Sequence, residues 1–286
     1  MNKLIEMSNE IRSSKKFSRL GETYVISIIE EFLKKDKKLA KSFIEGPIKT
    51  KTYKEFLKDV KKFLHETYSV YQVREGAKKK QIYSLMKRTT NKEKLLELHE
   101  EMLHLHSSSR ERKKDYETIY RNIFSVCGEP KKIFDIGCGM NAFSLPFAGI
   151  RGLEYIGCDA VEEDISLIAE YLKNVGKVLG FKGRSFLVNA FDKKFLVDIS
   201  KVKSDVCFVF KMLDVFDYGV KHHKKSEEIL KNINSKFLVV SFPTKTISNK
   251  KMSRPRRKWF EVMCDRLNWN FDYFETSNEC FYVVKK

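Results

Sequence analysis

The spacing of apolar residues along the chain changes near residue 130. Before that point they recur at i, i+3, i+4 and i+7 with Lys and Glu between them, which is typical of amphipathic helices. The clearest segments are YVISIIEEFLKK (24–35), TYKEFLKDVKKFLHETY (52–68) and NKEKLLELHEEMLHLH (91–106). Asn91 is a candidate N-cap, and helix breaks are expected at Gly46-Pro47 and at residues 89–91. This part of the chain is therefore predicted to be all-helical.

After Pro130, short runs rich in Val, Ile and Phe alternate with helical segments, a pattern that predicts βαβ units and a parallel sheet. The strand-like runs are KKIFDIG (131–137), LEYIGCD (153–159), GRSFLVNA (183–190), DVCFVFKM (205–212) and SKFLVVSF (235–242). The final segment, 270–286, holds two more such runs around Ser277-Asn278, so we expect an antiparallel hairpin at the sheet edge. We place the domain boundary between a helical domain, 1–105, and an α/β domain, 106–286.

The charge of the chain favours contact with a polyanion. Its 286 residues include 56 Lys and Arg against 38 Asp and Glu, a formal net charge of +18. Residues 1–130 hold 29 of these basic residues and 19 of the acidic ones, so the excess extends over both parts. A heat-adapted protein would raise Glu along with Lys, which this chain does not do. We therefore predict a broad surface for nucleic acid.

Two further features bound the class of protein. No stretch approaches the ~20 apolar residues of a membrane helix, and the N-terminus lacks a signal-peptide core, so we expect a cytoplasmic protein without a membrane partner. The six cysteines form no Cys-x-x-Cys pair and have no histidine at metal-ligand spacing. We interpret them as reduced and mostly buried, and we expect no metal site.

The segment FDIGCGM suggests a nucleoside site. Gly137 and Gly139 let the backbone approach a ligand at the end of the first strand, and Asp159 ends the next strand, where a carboxylate accepts both hydroxyls of a ribose. The third glycine of a dinucleotide fold is missing, and a pyrophosphate needs it. An adenosine ligand without phosphate, such as S-adenosylmethionine, fits better than a nicotinamide cofactor, although the glycines could also serve only a tight turn.

Four segments then carry a resemblance to a known family. They are HSSSRER (106–112), FDIGCGMNAFSLPF (134–147), FKMLDVF (210–216) and VVSFPTKTISNKKM (239–252), the last followed by Trp259-Phe260. They look like the 16S ribosomal RNA guanine-N7 methyltransferases that confer aminoglycoside resistance, and SSKKFSRL and ECFYVVKK extend the likeness to both ends. The resemblance implies a Rossmann-like S-adenosylmethionine-dependent methyltransferase. It would have a seven-stranded, mostly parallel sheet with an antiparallel terminal hairpin, and an N-terminal all-helical domain for docking on the small ribosomal subunit.

The resemblance also implies roles for individual residues. Cofactor contacts are expected from His106, Ser107, Arg112, Gly137, Cys138, Gly139, Asp159, Ala160, Asn189 and Ala190. Among these, the glycines would pass beside the methionine part, Asp159 would take the ribose and Asn189-Ala190 the adenine edge. Lys211 would lie at the reaction pocket as a positioning residue. Methylation at guanine N7 uses a free lone pair, so no general base is expected.

The serines and arginines of HSSSRER have a more specific interpretation. Ser107 to Ser109 are good N-cap residues for a helix that starts at Arg110. Arg112 would then be free to hold the methionine carboxylate of the cofactor, with Arg110 nearer the RNA. Capping alone remains the alternative for the serines.

The loop from Pro243 to Lys258 is the predicted RNA-binding element. It has seven Lys and Arg and no acid, and aromatic residues follow it directly. The residues assigned to RNA are Arg110, Lys245, Lys250, Lys251, Arg254, Arg256, Arg257 and Trp259. Here the chain departs from the family, which carries a tyrosine shortly before the Trp-Phe pair and a less basic approach to it. This departure leaves the target nucleotide open.

The sequence thus predicts a monomeric methyltransferase that acts on guanine N7 in 16S rRNA of the small ribosomal subunit. Transfer RNA, or another ribosomal base such as adenine N1, is the alternative target. A non-catalytic RNA-binding or assembly protein is the alternative of another class, and the intact glycines and Asp159 speak against it.

Overall fold

The computed structural model describes residues 2–35, 40, 51–69, 76–192, 194–217, 221–246 and 250–286. Its centre is a seven-stranded sheet. The strands are β1 (Lys132–Ile136), β2 (Glu154–Asp159), β3 (Lys182–Leu187), β4 (Ser204–Phe210), β5 (Ser235–Pro243), β6 (Asn270–Glu275) and β7 (Glu279–Lys285). The expected break at Gly46-Pro47 lies outside the described residues.

The strand order is β3-β2-β1-β4-β5-β7-β6. The first five strands pair in parallel, whereas β7 runs antiparallel between β5 and β6. The predicted parallel sheet with an antiparallel terminal hairpin is therefore confirmed. Because β7 runs against its neighbour, its first residue, Glu279, lies opposite Pro243 at the edge where the parallel strands end.

Helices precede the sheet and connect its strands. They are α1 (Asn2–Arg12), α2 (Glu22–Lys35), α3 (Lys51–Leu64), α4 (Gly76–Arg88), α5 (Lys92–His104), α6 (Ser107–Arg112), α7 (Tyr116–Cys127), α8 (Glu162–Tyr171), α9 (Phe195–Ser200), α10 (Leu213–Phe216), α11 (Lys224–Asn232) and α12 (Lys258–Arg266). A π-helical turn, His65–Ser69, extends α3, and a 3₁₀ segment, Asn141–Ala148, follows β1. Asn91 caps α5 as expected, since its side chain accepts a hydrogen bond from the Lys94 amide at 2.9 Å.

Alternating side chains of each central strand pack into two different hydrophobic cores, one on each face of the sheet. On β4, Phe208 and Phe210 pack with α7 and the 3₁₀ segment on one face, and Cys207 and Val209 pack with α9–α12 on the other. This alternation follows from the pleat of a strand that is buried on both faces. Helices α4 and α5 belong to the first of these cores.

Helices α1 to α3 have a core of their own, which includes Ile11, Val25, Val60 and Phe63. We call residues 2–35, 40 and 51–69 with this core the N-terminal unit. The division at residues 105/106 stays a prediction, because the helices from Gly76 onward share a core with the sheet.

Ionic and polar contacts join the N-terminal unit to the sheet. Arg19 pairs with Glu163 at 2.7 Å and with Asp164 at 2.9 Å, at the start of α8. Lys79 of α4 approaches the same Asp164 oxygen at 2.8 Å. Asn189, beyond β3, donates a hydrogen bond to Ser27 of α2 at 2.6 Å. The side chains of Lys79 and Asp164 are only 2% and 1% exposed, so this pair is inaccessible to water.

We expect Asp164→Asn to lower the free energy of unfolding by about 3 kcal/mol, because it leaves the Lys79 ammonium buried without its counter-charge. Glu163→Gln is the matched control. The Glu163 side chain is 55% exposed and shares Arg19, so its loss should cost less than about 1 kcal/mol. Urea denaturation followed by circular dichroism gives both values. Equal costs for the two variants would contradict the assignment.

Candidate functional site

A cavity lies at the carboxyl ends of β1, β2 and β4, where open α/β sheets bind their ligands. Nine of the residues singled out from the sequence line it: His106, Arg112, Gly137, Cys138, Gly139, Asp159, Ala160, Ala190 and Lys211. The parallel register brings these residues together, because strand ends separated in sequence meet at one edge.

Two glycines shape the floor of the cavity. Gly137 and Gly139 both have positive φ, 71° and 48°, which side chains rarely tolerate. A Cβ at Gly137 would lie 2.4 Å from Met212 Sδ, and one at Gly139 would lie 2.9 Å from the His106 ring. Both positions therefore require glycine, because the backbone conformation is left-handed and Met212 and His106 occupy the space that a side chain would need.

Asp159 closes this turn from the next strand. One carboxylate oxygen accepts the Gly139 amide at 2.9 Å, and the other accepts the amides of Ala160 at 2.7 Å and Val161 at 3.2 Å. Burial raises the pKa of Asp159 and outweighs these amide donors. The oxygen that accepts only the Gly139 amide retains a lone pair that a ribose hydroxyl can use.

A buried ionic network includes two further lining residues, Arg112 and Lys211. Arg112 Nε donates to Glu279 Oε1 at 2.8 Å, and Lys211 Nζ lies 3.1 Å from the same oxygen. The other Glu279 oxygen accepts from Ser241 Oγ at 2.7 Å, and Lys211 also bonds to Glu111. Glu279 is fully buried and was not singled out from the sequence.

The charges of this network hold one another ionised. Burial alone would raise the pKa of Glu279, but Arg112 and Lys211 outweigh it and place that pKa below its ordinary value. Burial would lower the pKa of Lys211, and Glu279 reverses the effect. Two fixed cations, Arg112 and Lys211, therefore line the cavity, and both are bound to the Glu279 carboxylate, which is not itself a lining residue.

Asn141 connects Arg112 to a second acid. Its side-chain oxygen accepts from Arg112 Nη1 at 3.2 Å and from Tyr116 at 3.0 Å, and its amide donates to Asp135 at 2.7 Å. Burial raises the pKa of Asp135 to about 6. Within the described part of the chain, Arg112 Nη2 has no hydrogen bond. That group remains available to an anion in the cavity.

The interpretation of the serines as N-caps is wrong. His106 is the N-cap of α6, and Ser107 to Ser109 form its first turn. The predicted single helix from Arg110 is also broken, because α6 ends at Arg112 and α7 begins at Tyr116. Ser108 and Ser109 face the cavity, whereas Ser107 is not among its lining residues. Burial lowers the pKa of His106 to about 3, so its imidazole is neutral at pH 7.

The structure places Asn189 beside the cavity rather than in its wall. Its side chain bonds to Ser27 and to the Phe191 amide, and Val188, Ala190 and Phe191 line the space instead. The N-terminal unit adds three lining residues that the sequence did not indicate, Tyr24, Thr67 and Tyr68. The sequence could not indicate their role in the cavity, because each of them fits the spacing of apolar and polar residues in an amphipathic helix.

The basic loop divides into exposed and engaged residues. Lys250, Lys251 and Arg254 are exposed, as is Arg110 of α6. Lys245 donates to Asn278 at 2.7 Å, and Arg256 pairs with Glu261 at 2.6 Å. Three residues of this loop, 247–249, lie outside the described part.

Arg257 and Trp259 have partners within the chain. Arg257 donates to the carbonyls of Pro255 at 2.9 Å and Pro243 at 3.0 Å, so it fixes the loop to the end of β5. The Trp259 ring stacks on His223, with centroids 3.6 Å apart and planes 10° from parallel. Neither side chain is free for RNA in this conformation, and their assignment to RNA stays a prediction.

None of the described helices is both long and apolar enough to cross a membrane. Among the described residues there is also no cluster of three His, Cys, Asp or Glu side chains that could hold a metal ion.

Comparison with known proteins points to one family. Residues 51–283 match the family described as "Ribosomal RNA methyltransferase (FmrO)". The chain is 33% identical over 249 residues to the 16S rRNA (guanine(1405)-N(7))-methyltransferase of Proteus mirabilis, covering 82% of this chain and 85% of the relative. It is 25% identical over 185 residues to the enzyme of the same name from Micromonospora rosea, covering 64% of each.

Solved structures share the fold. The 16S rRNA methyltransferase RmtF, in complex with S-adenosyl-L-homocysteine, aligns with a TM-score of 0.75 at 18% identity and covers 100% of this chain and 99% of its own. The 16S rRNA methylase RmtB aligns with a TM-score of 0.67 at 20% identity, covering 99% and 98%.

We expect Glu279→Gln to lower the free energy of unfolding at pH 7 by about 3 kcal/mol, because Arg112 and Lys211 then lose their shared counter-charge. The pKa of Glu279 is depressed in the folded protein, so its contribution is present above its ordinary pKa of 4.5 and is lost as the pH falls through the depressed value. The difference between the variant and the wild type should therefore shrink on acidification.

Urea denaturation at pH 7 and at successively lower pH measures this difference. Glu111→Gln is the control, because its side chain contacts the same lysine but is 44% exposed, and it should cost less than about 1 kcal/mol. A Glu279→Gln cost that stays constant with pH would refute the role of this carboxylate.

Proposed function

The chain belongs to the FmrO family of ribosomal RNA methyltransferases, and we propose that it transfers a methyl group from S-adenosylmethionine to guanine N7 in 16S rRNA of the small ribosomal subunit. The observation that carries this proposal is the match over residues 51–283, together with the relative from Proteus mirabilis, whose name states this reaction. The cavity at the strand ends provides the place for it.

The residues of the cavity fit the cofactor. Its adenosine has a ribose diol for the carboxylate of Asp159, and its carboxylate matches the unengaged Nη2 of Arg112. Gly137 and Gly139 line the cavity between these two ends, and their positive φ angles form the tight turn there. Ala160 and Ala190 are small enough to leave room for the adenosine beside Asp159.

When bound, S-adenosylmethionine would supply an electrophilic methyl group to the N7 lone pair, with S-adenosylhomocysteine as the leaving group. Since N7 carries no proton, the chain has to place the two reactants in line rather than accept a proton. Lys211 lies in the same cavity with its ammonium held by Glu279 and Glu111, so it can position the base or a neighbouring phosphate. In this role it is a positioning residue.

The exposed part of the basic loop is proposed to contact the RNA backbone. Lys250, Lys251 and Arg254 follow the end of β5, which is at the cavity edge of the sheet. Arg257 fixes this loop by donating hydrogen bonds to the carbonyls of Pro255 and Pro243. We further propose that the protein acts as a monomer in the cytoplasm.

We expect labelled methyl from S-adenosylmethionine to enter small ribosomal subunits, and nuclease digestion followed by mass spectrometry to give N7-methylguanosine. Naked 16S RNA and bulk transfer RNA are tested in parallel. Label on transfer RNA alone, or N1-methyladenosine as the only product, would show that the altered loop has changed the target. No transfer to any of the three substrates would overturn the enzymatic proposal.

For the loop, the triple variant Lys250→Ala, Lys251→Ala, Arg254→Ala should bind small subunits about tenfold more weakly. The slope of log Kd against log salt should fall by about 2, since each phosphate contact contributes about 0.7 to 0.9. The control replaces three exposed lysines by alanine at or shortly before the start of β3, an outer strand of the sheet that is remote from β5: Lys173, Lys177 and Lys182. If both triples change the slope equally, the effect is general charge and the loop has no special role.

A further inference from the structure

The N-terminal unit contacts the sheet at the loops that follow β2 and β3, which would hold the adenosine. Its apolar core includes Val161, two residues after Asp159, and Phe191 packs against it. The T-shaped contact of Phe191 with Phe63 has a centroid distance of 5.4 Å. Arg19 pairs with Asp164 in the first turn of α8, which follows the loop after β2. The docking surface of the unit and the adenosine side of the cavity are therefore the same segments of chain.

Two tyrosines of this unit extend into the cavity. Tyr24 comes from α2 and Tyr68 from the π-helical turn after α3, and both line the space together with Asp159. Tyr68 is only 7% exposed. Among the described residues, neither hydroxyl has a hydrogen-bond partner. Tyr24 is half-buried, and neither hydroxyl belongs to the fully buried polar atoms without a partner, so both are accessible from the cavity that they line. A ligand in the cavity can therefore form a hydrogen bond with each of them.

The pKa shifts of Tyr24 and Tyr68 are consistent with their location in the cavity beside Asp159. Burial raises the pKa of both tyrosines, and the neighbouring carboxylate of Asp159 raises it further. Both phenols are therefore neutral and able to donate a hydrogen bond. Thr67 is the third lining residue of the unit. It differs from the two tyrosines because its hydroxyl already donates a hydrogen bond to the Phe63 carbonyl at 2.8 Å.

From these contacts we infer that Tyr24 and Tyr68 bind the adenosine part of the cofactor, so that the N-terminal unit completes the cofactor site. This inference rests on the proposed function, because it takes S-adenosylmethionine as the ligand. It makes cofactor binding and docking of the N-terminal unit on the sheet mutually stabilising. It assigns to the helical unit a role in binding the small molecule, besides any contact with the ribosome.

Isothermal titration calorimetry with S-adenosylhomocysteine and with 5′-methylthioadenosine tests the inference. Tyr24→Phe and Tyr68→Phe should each raise the Kd of both ligands by about 3- to 10-fold, the value of one neutral hydrogen bond. The factor should be equal for the two ligands, because both contain the adenosine. Arg112→Lys should weaken only S-adenosylhomocysteine, because 5′-methylthioadenosine has no carboxylate.

The control is Tyr53→Phe on α3. Its hydroxyl bonds to Glu10 at 2.8 Å inside the same unit and does not line the cavity, so the Kd should not change while the urea midpoint falls. Tyr24→Phe and Tyr68→Phe should leave the urea midpoint unchanged, since neither hydroxyl bonds to another residue in the described part of the chain. Unchanged affinities, or losses of affinity that accompany losses of stability, would overturn the inference. A wild-type protein that binds neither ligand would instead refute the proposed cofactor.

Discussion

One buried carboxylate, Glu279, allows two cations to line the cavity. Arg112 and Lys211 carry positive charges that are nearly inaccessible to water, and without a shared counter-ion they would repel each other and favour exposure. The antiparallel direction of β7 places Glu279 at the edge where the parallel strands end. A parallel β7 would begin at the opposite edge, so the reversal of this one strand is a requirement of the site and not only of the sheet.

The acids around the cavity are occupied by donors from the chain itself. Asp159 accepts three backbone amides, Asp135 accepts from Tyr155 and Asn141, and Glu279 accepts from Arg112 and Ser241. These bonds fix the carboxylates, so the wall serves to position ligands. Methylation of a base nitrogen with a free lone pair requires this and no proton acceptor. The chemistry and the architecture thus agree.

The sequence predicted what is encoded locally. The alternation of strands and helices, the terminal hairpin, the glycine turn and Asp159 each depend on a few adjacent residues, and the structure places them as expected. The interpretation failed where a contact joins distant segments. Glu279 lies 167 residues from Arg112, and in its own segment it looks like an ordinary residue at the start of a strand. The serines were misassigned because capping depends on the helix start, which spacing fixes only to within a few residues.

The same reasoning explains why the helical unit looked separate from the cofactor site. Tyr24 and Tyr68 occupy positions that suit amphipathic helices, and nothing in their neighbours indicates a cavity. Contacts between distant segments, among them the Arg19–Asp164 ion pair and the packing of Phe191 on Phe63, bring them to the cavity. An enzyme that lacks a proton-transfer step controls its reaction through placement alone. It therefore benefits when the unit expected to meet the ribosome also closes the cofactor site, because docking and cofactor affinity then depend on one interface.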